Sequence, residues 1–328
     1  MKVCIVGAGA IGGFFGARLA QAGTCQLSVL ARGATLAALQ QHGWRLQQGD
    51  SLLQAPAMAS SEAGDFGVQD LVILAVKGPG LLAAALECAP LLGPETIVLP
   101  AMNGVPWWFG HGVAALGTAP LASIDPGGSM ARALAQESVL GCVVHASALM
   151  LEAGLVQHQM GQRLIIGEPE GGASQRVQSI GALLAGAGFD VTLSNKIRDD
   201  IWYKLWGNLT MNPVSALTGA SIDRVLDDAL VRQFCSATMV EAAAIGARIG
   251  CTLPHSAEER HGVTRKLGAF KSSMLQDVEA GRPIELDSIV ACVREMGQRV
   301  GVATPNIDAL LGLTRLFARV RGLYPEAS

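Results

Sequence analysis

The sequence predicts an α/β domain with a doubly wound parallel sheet, followed by an all-α helical domain. Short apolar runs of strand length alternate with helical segments along the first half of the chain, as in parallel sheets that helices cover on both faces. A glycine-rich turn joins the first apolar run to the first helix. Beyond Lys196 only helical patterns remain. We therefore place the first domain at residues 1–195 and the second at residues 196–328.

The elements of the first domain follow in chain order. Apolar runs predict strands at residues 2–6, 27–30, 71–76 and 96–99. Helices are predicted from the glycine turn at residues 7–12 to about residue 21, and at residues 35–41 and 81–91. The pattern then changes to strands joined by turns at residues 139–145, 154–158 and 163–167, before a helix at 174–186 and a strand at 190–193. In the second domain we expect helices at residues 200–213, 225–249, 262–281, 283–300 and 306–322.

Composition limits the classes of partner. Half of the 328 residues are apolar, 16% are charged and the net charge is −3. Without a basic excess, neither nucleic acid nor an anionic membrane surface is expected as a partner. The longest uncharged stretch, residues 96–124, contains three prolines and several glycines, which excludes one continuous membrane helix. We expect a small-molecule substrate, and the apolar helical domain indicates a homodimer.

Cysteine usage indicates the compartment. The seven cysteines are scattered and form no CxxC pair, which is typical of a reduced cytoplasmic protein. The six histidines are dispersed as well, so no metal site is predicted, since such sites need clustered ligands. The apolar N-terminus contains ordered glycines and Arg18, which argues against an export signal.

The turn Gly7-Ala8-Gly9-Ala10-Ile11-Gly12 has the GxGxxG spacing of the dinucleotide-binding Rossmann fold, with a strand before it and a helix after it. Gly7 allows the tight turn, Gly9 admits the pyrophosphate, and Gly12 permits close packing of helix on strand. The helix N-terminus offers free N–H groups and a partial positive charge to the phosphates. We predict that all six residues bind the cofactor; a purely structural turn is the alternative.

Residues after the later strands indicate which dinucleotide binds. Arg32 ends the second strand about 20 residues beyond Gly12, where an acid would bind a free ribose 2′-hydroxyl and an arginine suits a 2′-phosphate. No Asp or Glu occurs between Gly12 and Asp50. We therefore predict NADP(H), with a solvated loop charge as the alternative for Arg32. Lys77 and Asn103 follow the next two strands, where ligands bind to open α/β sheets; a surface lysine and a plain Asn-Gly turn are the alternatives.

A row of polar side chains lies along the helix predicted at residues 200–213. Lys204, Asn208 and Asn212 are spaced at i, i+4 and i+8, so they share one face, and apolar residues flank them. A cation and two neutral amides in dry surroundings suit a small molecule that carries a carbonyl and an anionic group. Reduction of a ketone needs a proton donor and a group that stabilises the developing alkoxide, and Lys204 can supply both.

A second polar set follows in the helical domain. It consists of Ser272, Ser273, Gln276, Asp277, Glu285 and Asp287. Ser273 is expected to hold a carboxylate, and Glu285 to accept a hydrogen bond from the hydroxyl that forms. A solvated helix face is the alternative for each, and it is the preferred interpretation for Asp277 and Asp287.

Together these residues resemble the ketopantoate reductase (2-dehydropantoate 2-reductase) family over nearly the whole chain. The resemblance rests on the glycine turn, Arg32, Lys77, Asn103-Gly104, Trp202-x-Lys204-x-x-x-Asn208-x-x-x-Asn212-Pro213, Ser272-Ser-Met-Leu-Gln-Asp277 and Arg282-x-x-Glu285-x-Asp287. The family reduces ketopantoate to pantoate with NADPH in the cytoplasm, on the route to pantothenate and coenzyme A. Its fold is a Rossmann domain joined to an all-helical domain.

The resemblance implies a role for each matching residue. Lys204 is the general acid and Glu285 engages the substrate hydroxyl. Arg32 and Lys77 favour NADPH. The substrate is held by Asn208, Asn212 and Ser273, and Asn103 lies beside cofactor and substrate.

The sequence departs from the best-characterised members at three places. Residues 219–223 lack a further asparagine, and residues 288–292 read Ser-Ile-Val-Ala-Cys instead of a Tyr-Ile-x-Gly-like continuation. Residues 105–109 are bulkier and more apolar than a small hydroxy acid would require. These departures concern the substrate more than the chemistry, so a paralogue that reduces another 2-keto acid is an alternative.

Two further alternatives belong to other classes. A β-hydroxyacid dehydrogenase also pairs a Rossmann domain with a helical Lys-and-Asn site, but the spacing of Ser273 and Glu285 argues against it. A non-catalytic NADP(H)-sensing protein has no need of a proton donor, so Lys204 and Glu285 together argue against that alternative.

Overall fold

The structure is a computed structural model that describes residues 1–326. Within these residues the strands are β1 (Lys2–Val6), β2 (Gln26–Leu30), β3 (Trp44–Gln48), β4 (Ser51–Ala55), β5 (Met58–Ser60), β6 (Leu71–Leu74), β7 (Ile97–Pro100), β8 (Gly141–Glu152), β9 (Leu155–Gly167) and β10 (Asp190–Ser194). The α-helices are α1 (Ala10–Ala22), α2 (Gly33–His42), α3 (Gly78–Glu87), α4 (Ser129–Ala133), α5 (Gln175–Gly186), α6 (Ile197–Thr218), α7 (Ile222–Asp227), α8 (Ala229–Ile249), α9 (Ala257–Arg265), α10 (Ser273–Glu279), α11 (Cys292–Arg299) and α12 (Pro305–Arg319). A π-helix, Asp287–Ala291, precedes α11.

The chain forms two compact units. The first unit comprises residues 1–102 and 129–200, and the second comprises residues 103–128 and the chain from residue 201 onward. The second unit therefore includes Asn103, which follows β7 in sequence. The division expected between residues 195 and 196 stays a prediction.

The first unit contains the predicted parallel sheet. Its strand order is β5-β2-β1-β6-β7, and all four pairings are parallel. In this sheet β2 and β5 lie on one side of β1, and β6 and β7 lie on the other. Ligands bind to such sheets beyond the carboxyl ends of the strands where this order reverses, here β1 and β6. The predicted fold class is confirmed.

A second sheet in the same unit was only partly predicted. Its order is β10-β9-β3-β4, with β8 paired to β9. The hairpin of β3 and β4 went unpredicted because Trp44–Gln48 and Ser51–Ala55 are rich in polar residues. Three separate strands were expected where β8 and β9 form one long antiparallel hairpin. The middle of β9 is exposed and polar, which interrupts the apolar pattern from which strands are predicted.

The second unit is helical, as expected; α6 is longer than the helix predicted at residues 200–213, whereas two other predicted helices are interrupted. The helix predicted at residues 225–249 is interrupted near its start by Asp228, whose carboxylate accepts from the N–H groups of Leu230 and Val231 at 3.0 Å and so begins α8. The helix predicted at residues 262–281 is broken at Gly268, which has a φ of 71°. No helix in the described part of the chain has the length and apolar character to span a bilayer.

Aromatic packing and hydrogen bonds to the Glu295 carboxylate hold the segment 103–128 within the second unit. Phe109 stacks on Trp202 of α6 with ring centroids 6.0 Å apart. Glu295 accepts from the backbone N–H groups of Ala122 and Ser123 at 2.9 and 2.8 Å. The bulky residues 105–109 are buried. They therefore belong to the core of this unit, which explains their apolar character without reference to a substrate.

Candidate active site

The glycine turn after β1 has the geometry that its spacing predicts. Gly7 has a φ of 90°, which favours glycine. A Cβ built on Gly12 would lie 1.9 Å from the carbonyl oxygen of Gly7, so only glycine lets α1 start this close to β1. A Cβ on Gly9 would meet nothing within 4 Å, which leaves room for a ligand at this point of the turn.

The start of α1 fits a phosphate. Gly9 is the N-cap, no side chain caps the helix, and its first turn contains no acid. The first N–H groups of a helix have no partner within the helix, and they attract an anion. Ala8 is buried, whereas Ala10 and Ile11 are half-buried, so these three residues can contribute mainly through their backbone. The turn therefore fits the pyrophosphate of a dinucleotide.

Two basic residues follow neighbouring strands of the same sheet. Arg32 comes two residues after β2 and is the N-cap of α2. Lys77 comes three residues after β6 and is the N-cap of α3. Both follow the carboxyl ends of strands that pair with β1. The Arg32 side chain is 62% exposed and forms an ion pair with Glu87, so a 2′-phosphate would have to compete with this carboxylate.

The row predicted on the helical domain lies within α6, which runs unbroken through Pro213. The Lys204 Nζ atom donates to Asn103 Oδ1 at 2.8 Å, across 101 positions of sequence. Lys204 and Asn208 are half-buried and accessible. The structure thus brings the predicted proton donor together with an amide that was predicted from a different motif.

Asn212 continues the row into the interior. The residue is 5% exposed, and its Nδ2 atom has no hydrogen-bond acceptor. Buried amide donors are nearly always hydrogen-bonded because an unmade bond is costly. The unused donor lies on the face of α6 that carries Lys204 and Asn208.

The segment that contains Glu285 is attached to the Asn103 loop. Val105 N donates to the Ser288 carbonyl at 2.7 Å, and a Cβ on Gly104 would lie 2.5 Å from the same oxygen. Gly104, with a φ of 77°, therefore lets the loop contact the π-helix, the kind of irregularity often found at functional sites. Glu285 is 8% exposed and lies three residues before Ser288.

Ser288 is a residue whose position sequence reasoning missed. It is 7% exposed and its Oγ atom has no partner, as for the Asn212 amide. In the sequence it is visible only as a departure from the related family, because its contact with Gly104 joins segments more than 180 residues apart.

Other residues of the second polar set have structural roles. Ser273 is exposed at the first position of α10, whereas Ser272 is buried and accepts from Leu275 N at 3.1 Å as the helix cap. Asp277 is buried and pairs with Arg282 at 2.9 Å. The preferred interpretation of Asp277 as part of a solvated face was therefore wrong.

Asp287 is likewise no solvated surface group. Its carboxylate accepts from the Tyr324 hydroxyl at 2.5 Å, and burial raises its pKa. The interpretation of Asp287 as part of a solvated face was therefore also wrong. Among residues 1–326, no group of three or more His, Cys, Asp or Glu side chains is arranged to hold a metal ion.

Substitution of Asn212 tests whether the amide serves a ligand. We expect Asn212→Leu to raise the melting temperature, because the substitution removes a buried donor without an acceptor. It should also lower kcat/KM for the substrate that undergoes reduction by about 10- to 100-fold, as expected when a hydrogen bond to the substrate is lost. Thermal unfolding and steady-state kinetics measure the two effects. A lower melting temperature with unchanged kinetics would show that the amide only supports the fold.

Comparison with known proteins identifies the family. The model of the ketopantoate reductase PanE/ApbA family matches residues 3–171, and the model of its C-terminal region matches residues 196–318. The chain belongs to the ketopantoate reductase family. It is accordingly an oxidoreductase, and the reductases of this family depend on a nicotinamide cofactor.

Individual relatives agree with this assignment. A 2-dehydropantoate 2-reductase of Mesorhizobium japonicum is 42% identical over 325 residues, which cover 99% of this chain and 100% of the relative. The crystal structure of a candidate ketopantoate reductase from Ralstonia solanacearum MolK2 is 55% identical, with a TM-score of 0.94 and coverage of 98% and 99%. D-mandelate dehydrogenase in complex with NADH and anilino(oxo)acetate is 20% identical, with a TM-score of 0.85 and coverage of 98% and 100%; it shares the fold.

Proposed function

We propose that this protein reduces ketopantoate to pantoate with NADPH, on the route to pantothenate and coenzyme A. The observation that carries the proposal is the contact between Lys204 Nζ and Asn103 Oδ1 at 2.8 Å, on the same face of α6 as the unused donor of Asn212. The 42% identical full-length relative named 2-dehydropantoate 2-reductase supports the substrate.

In this proposal Lys204 is the general acid. Asn103 accepts a hydrogen bond from one of the three N–H groups of the ammonium and so fixes the orientation of the Lys204 side chain. Another N–H group is directed to the carbonyl oxygen of the substrate. The proton moves to this oxygen as negative charge develops on it. Glu285 accepts a hydrogen bond from the hydroxyl. The rest of the substrate is held by Asn208, Asn212 and Ser273. Because Ser273 is exposed, it can contact only the solvent-facing end of the substrate.

The glycine turn, Arg32, Lys77 and Asn103 are proposed to hold the dinucleotide, which supplies the hydride when it is bound. The Gly7–Gly12 turn and the uncapped start of α1 receive the pyrophosphate. Lys77 contributes a positive charge at the neighbouring strand end. Arg32 receives the 2′-phosphate, for which its ion pair with Glu87 opens.

The proposal is tested by following NADPH oxidation with the purified protein. Ketopantoate should be turned over more efficiently than bulkier 2-keto acids in the same assay. Efficient turnover of another 2-keto acid alone would instead favour a paralogue, for which the departure at residues 288–292 is the supporting observation. Cofactor binding without turnover of any 2-keto acid would favour the sensing protein.

Arg32→Ala should narrow the preference for NADPH over NADH by about 10- to 100-fold, because a charged hydrogen bond to the 2′-phosphate is lost. Glu87→Gln should act in the opposite direction, because it removes the competing carboxylate. Dissociation constants of NADPH and NADH, measured for the two variants and the wild type, show whether the two substitutions change the cofactor preference in opposite directions. A preference unchanged by Arg32→Ala would remove Arg32 from the cofactor site.

A homodimer and a cytoplasmic location complete the proposal. The homodimer is supported by Leu313 and Leu316 of α12 and by Val320 at its C-terminal cap, which are spaced at i, i+3 and i+7 and have exposed side chains. Light scattering after size exclusion measures the mass directly. A monomer at micromolar concentration would contradict this part of the proposal alone.

A further inference from the structure

Arg260 of α9 reaches helix α6 next to the row of proposed site residues. A Cβ built on Gly207 would lie 2.6 Å from Arg260 Nη2 and 3.0 Å from its Cζ, so the guanidinium occupies the space that this glycine leaves. Gly207 lies three residues after Lys204 and directly before Asn208. Residues three apart are neighbours on a helix surface, and the guanidinium therefore lies beside the Lys204 turn of the row.

The partners of Arg260 leave most of its donors unused. Of the five N–H groups of an arginine, one on Nη1 donates to Thr264 Oγ1 at 2.9 Å. The Nε atom is buried and has no acceptor. The cation lies over the ring of Tyr203, with Cζ 5.1 Å from the ring centroid. Burial lowers the pKa of the guanidinium, and Tyr203 opposes this effect; the group nevertheless stays charged.

Comparison with other partly buried arginines makes this arrangement unusual. Arg176 pairs with Glu168, and Arg299 pairs with Glu295. Arg18 lacks a carboxylate but donates to the Gly188 carbonyl and to Gln162 Oε1. Among the described residues no carboxylate forms an ion pair with Arg260. A desolvated cation without an anion is costly, and a bound anion would remove that cost.

We infer that Arg260 binds the carboxylate of the 2-keto acid substrate, the role that the sequence alone suggested for Ser273, which is exposed. The inference rests on the proposed function. In a 2-keto acid the carboxylate is attached directly to the carbonyl carbon, so the anion and the reacting oxygen need two donors that are close neighbours. Arg260 of α9 packs against Gly207, which lies three residues from Lys204 on α6, and the planar guanidinium matches a carboxylate with two parallel hydrogen bonds. Glycine at position 207 permits this approach.

The test compares ketopantoate with its primary amide, which keeps the carbonyl and lacks the charge. We expect Arg260→Gln to lower kcat/KM for the acid by about 100-fold, chiefly through KM, because a charge-assisted contact is lost. The value for the amide should change by less than about threefold, since its contacts are uncharged. Arg260→Lys should restore part of the preference for the acid. Gly207→Ala should reproduce the selective loss, because its Cβ displaces the guanidinium.

The matched control is Arg265→Gln, on the same helix, whose Nη2 donates to the Leu226 carbonyl at 2.9 Å; it should leave the ratio of acid to amide unchanged. Thermal unfolding monitors the fold of each variant. Equal losses for acid and amide in Arg260→Gln would show that Arg260 only packs on Tyr203, and an unchanged ratio would also overturn the inference.

Calorimetry of pantoate binding to the NADP⁺-loaded wild type separates this inference from the proposed function. A wild type that reduces ketopantoate, together with an Arg260→Gln variant that keeps pantoate affinity, overturns the inference alone. A wild type that neither turns over a 2-keto acid nor binds pantoate overturns both. Weaker pantoate binding by Arg260→Gln, with the wild type active, supports both.

Discussion

Lys204→Ala should lower kcat with ketopantoate by about 1,000-fold, because proton transfer from a positioned group contributes roughly 10²- to 10⁴-fold. The ammonium group is directed by its 2.8 Å hydrogen bond to Asn103, and alanine removes both the proton and the charge that stabilises the alkoxide. Affinity for NADPH should stay within about twofold, since the proposed phosphate contacts at the glycine turn, Arg32 and Lys77 do not involve Lys204.

A second substitution at the same position separates charge from proton donation. Lys204→Arg keeps a positive charge but gives up its proton only at very high pH. If Lys204 is the general acid, the arginine variant should remain nearly as slow as the alanine variant. If the charge alone matters, the arginine variant should recover most of the lost rate.

Lys266→Ala is the matched control, because Lys266 is exposed at the end of α9; it should leave kcat unchanged. Stopped-flow measurement of a single turnover isolates reduction from product release, and fluorescence titration gives the affinity for NADPH. A kcat for Lys204→Ala within a few fold of the wild-type value would remove Lys204 from its proposed role.

Some parts of the fold and of the candidate site could be predicted from the sequence, because their residues leave a local pattern. The parallel sheet was predicted because most residues of β1, β6 and β7 are apolar and buried. The hairpin of β3 and β4 was missed because strands with many polar residues lack that signature. On α6, a period of 3.6 residues sufficed to place Lys204, Asn208 and Asn212 on one face, since the helix carries all three.

Contacts across the chain were beyond this reasoning. The partner of Lys204 at Asn103, the contact of Gly104 with Ser288, and the approach of Arg260 to Gly207 each join distant segments through tertiary packing. Helical spacing carries no information on such pairs. Likewise the exposed Arg32 was recognised by its place after β2, but its ion pair with Glu87 could be found only in three dimensions.

Glu285→Gln should separate activity from stability at the other proposed catalytic group. Glu285 is 8% exposed, and burial of a carboxylate carries a large desolvation cost. Glutamine has nearly the same shape without the charge, so we expect the variant to fold with a melting temperature close to the wild-type value. At the same time kcat/KM for ketopantoate should fall by about 100-fold, because a charge-assisted hydrogen bond to the hydroxyl is lost.

The control for this substitution is Glu279→Gln. Glu279 is exposed at the end of α10 and pairs with Lys271 at 2.7 Å, a surface contact that contributes little. Thermal unfolding and kinetics of both variants give the comparison. If Glu285→Gln lowered the melting temperature and left kcat/KM unchanged, the carboxylate would serve the fold alone. If it raised the melting temperature while activity fell, a group held at a cost to stability would be assigned to substrate binding, since a purely structural residue gains nothing from such a cost.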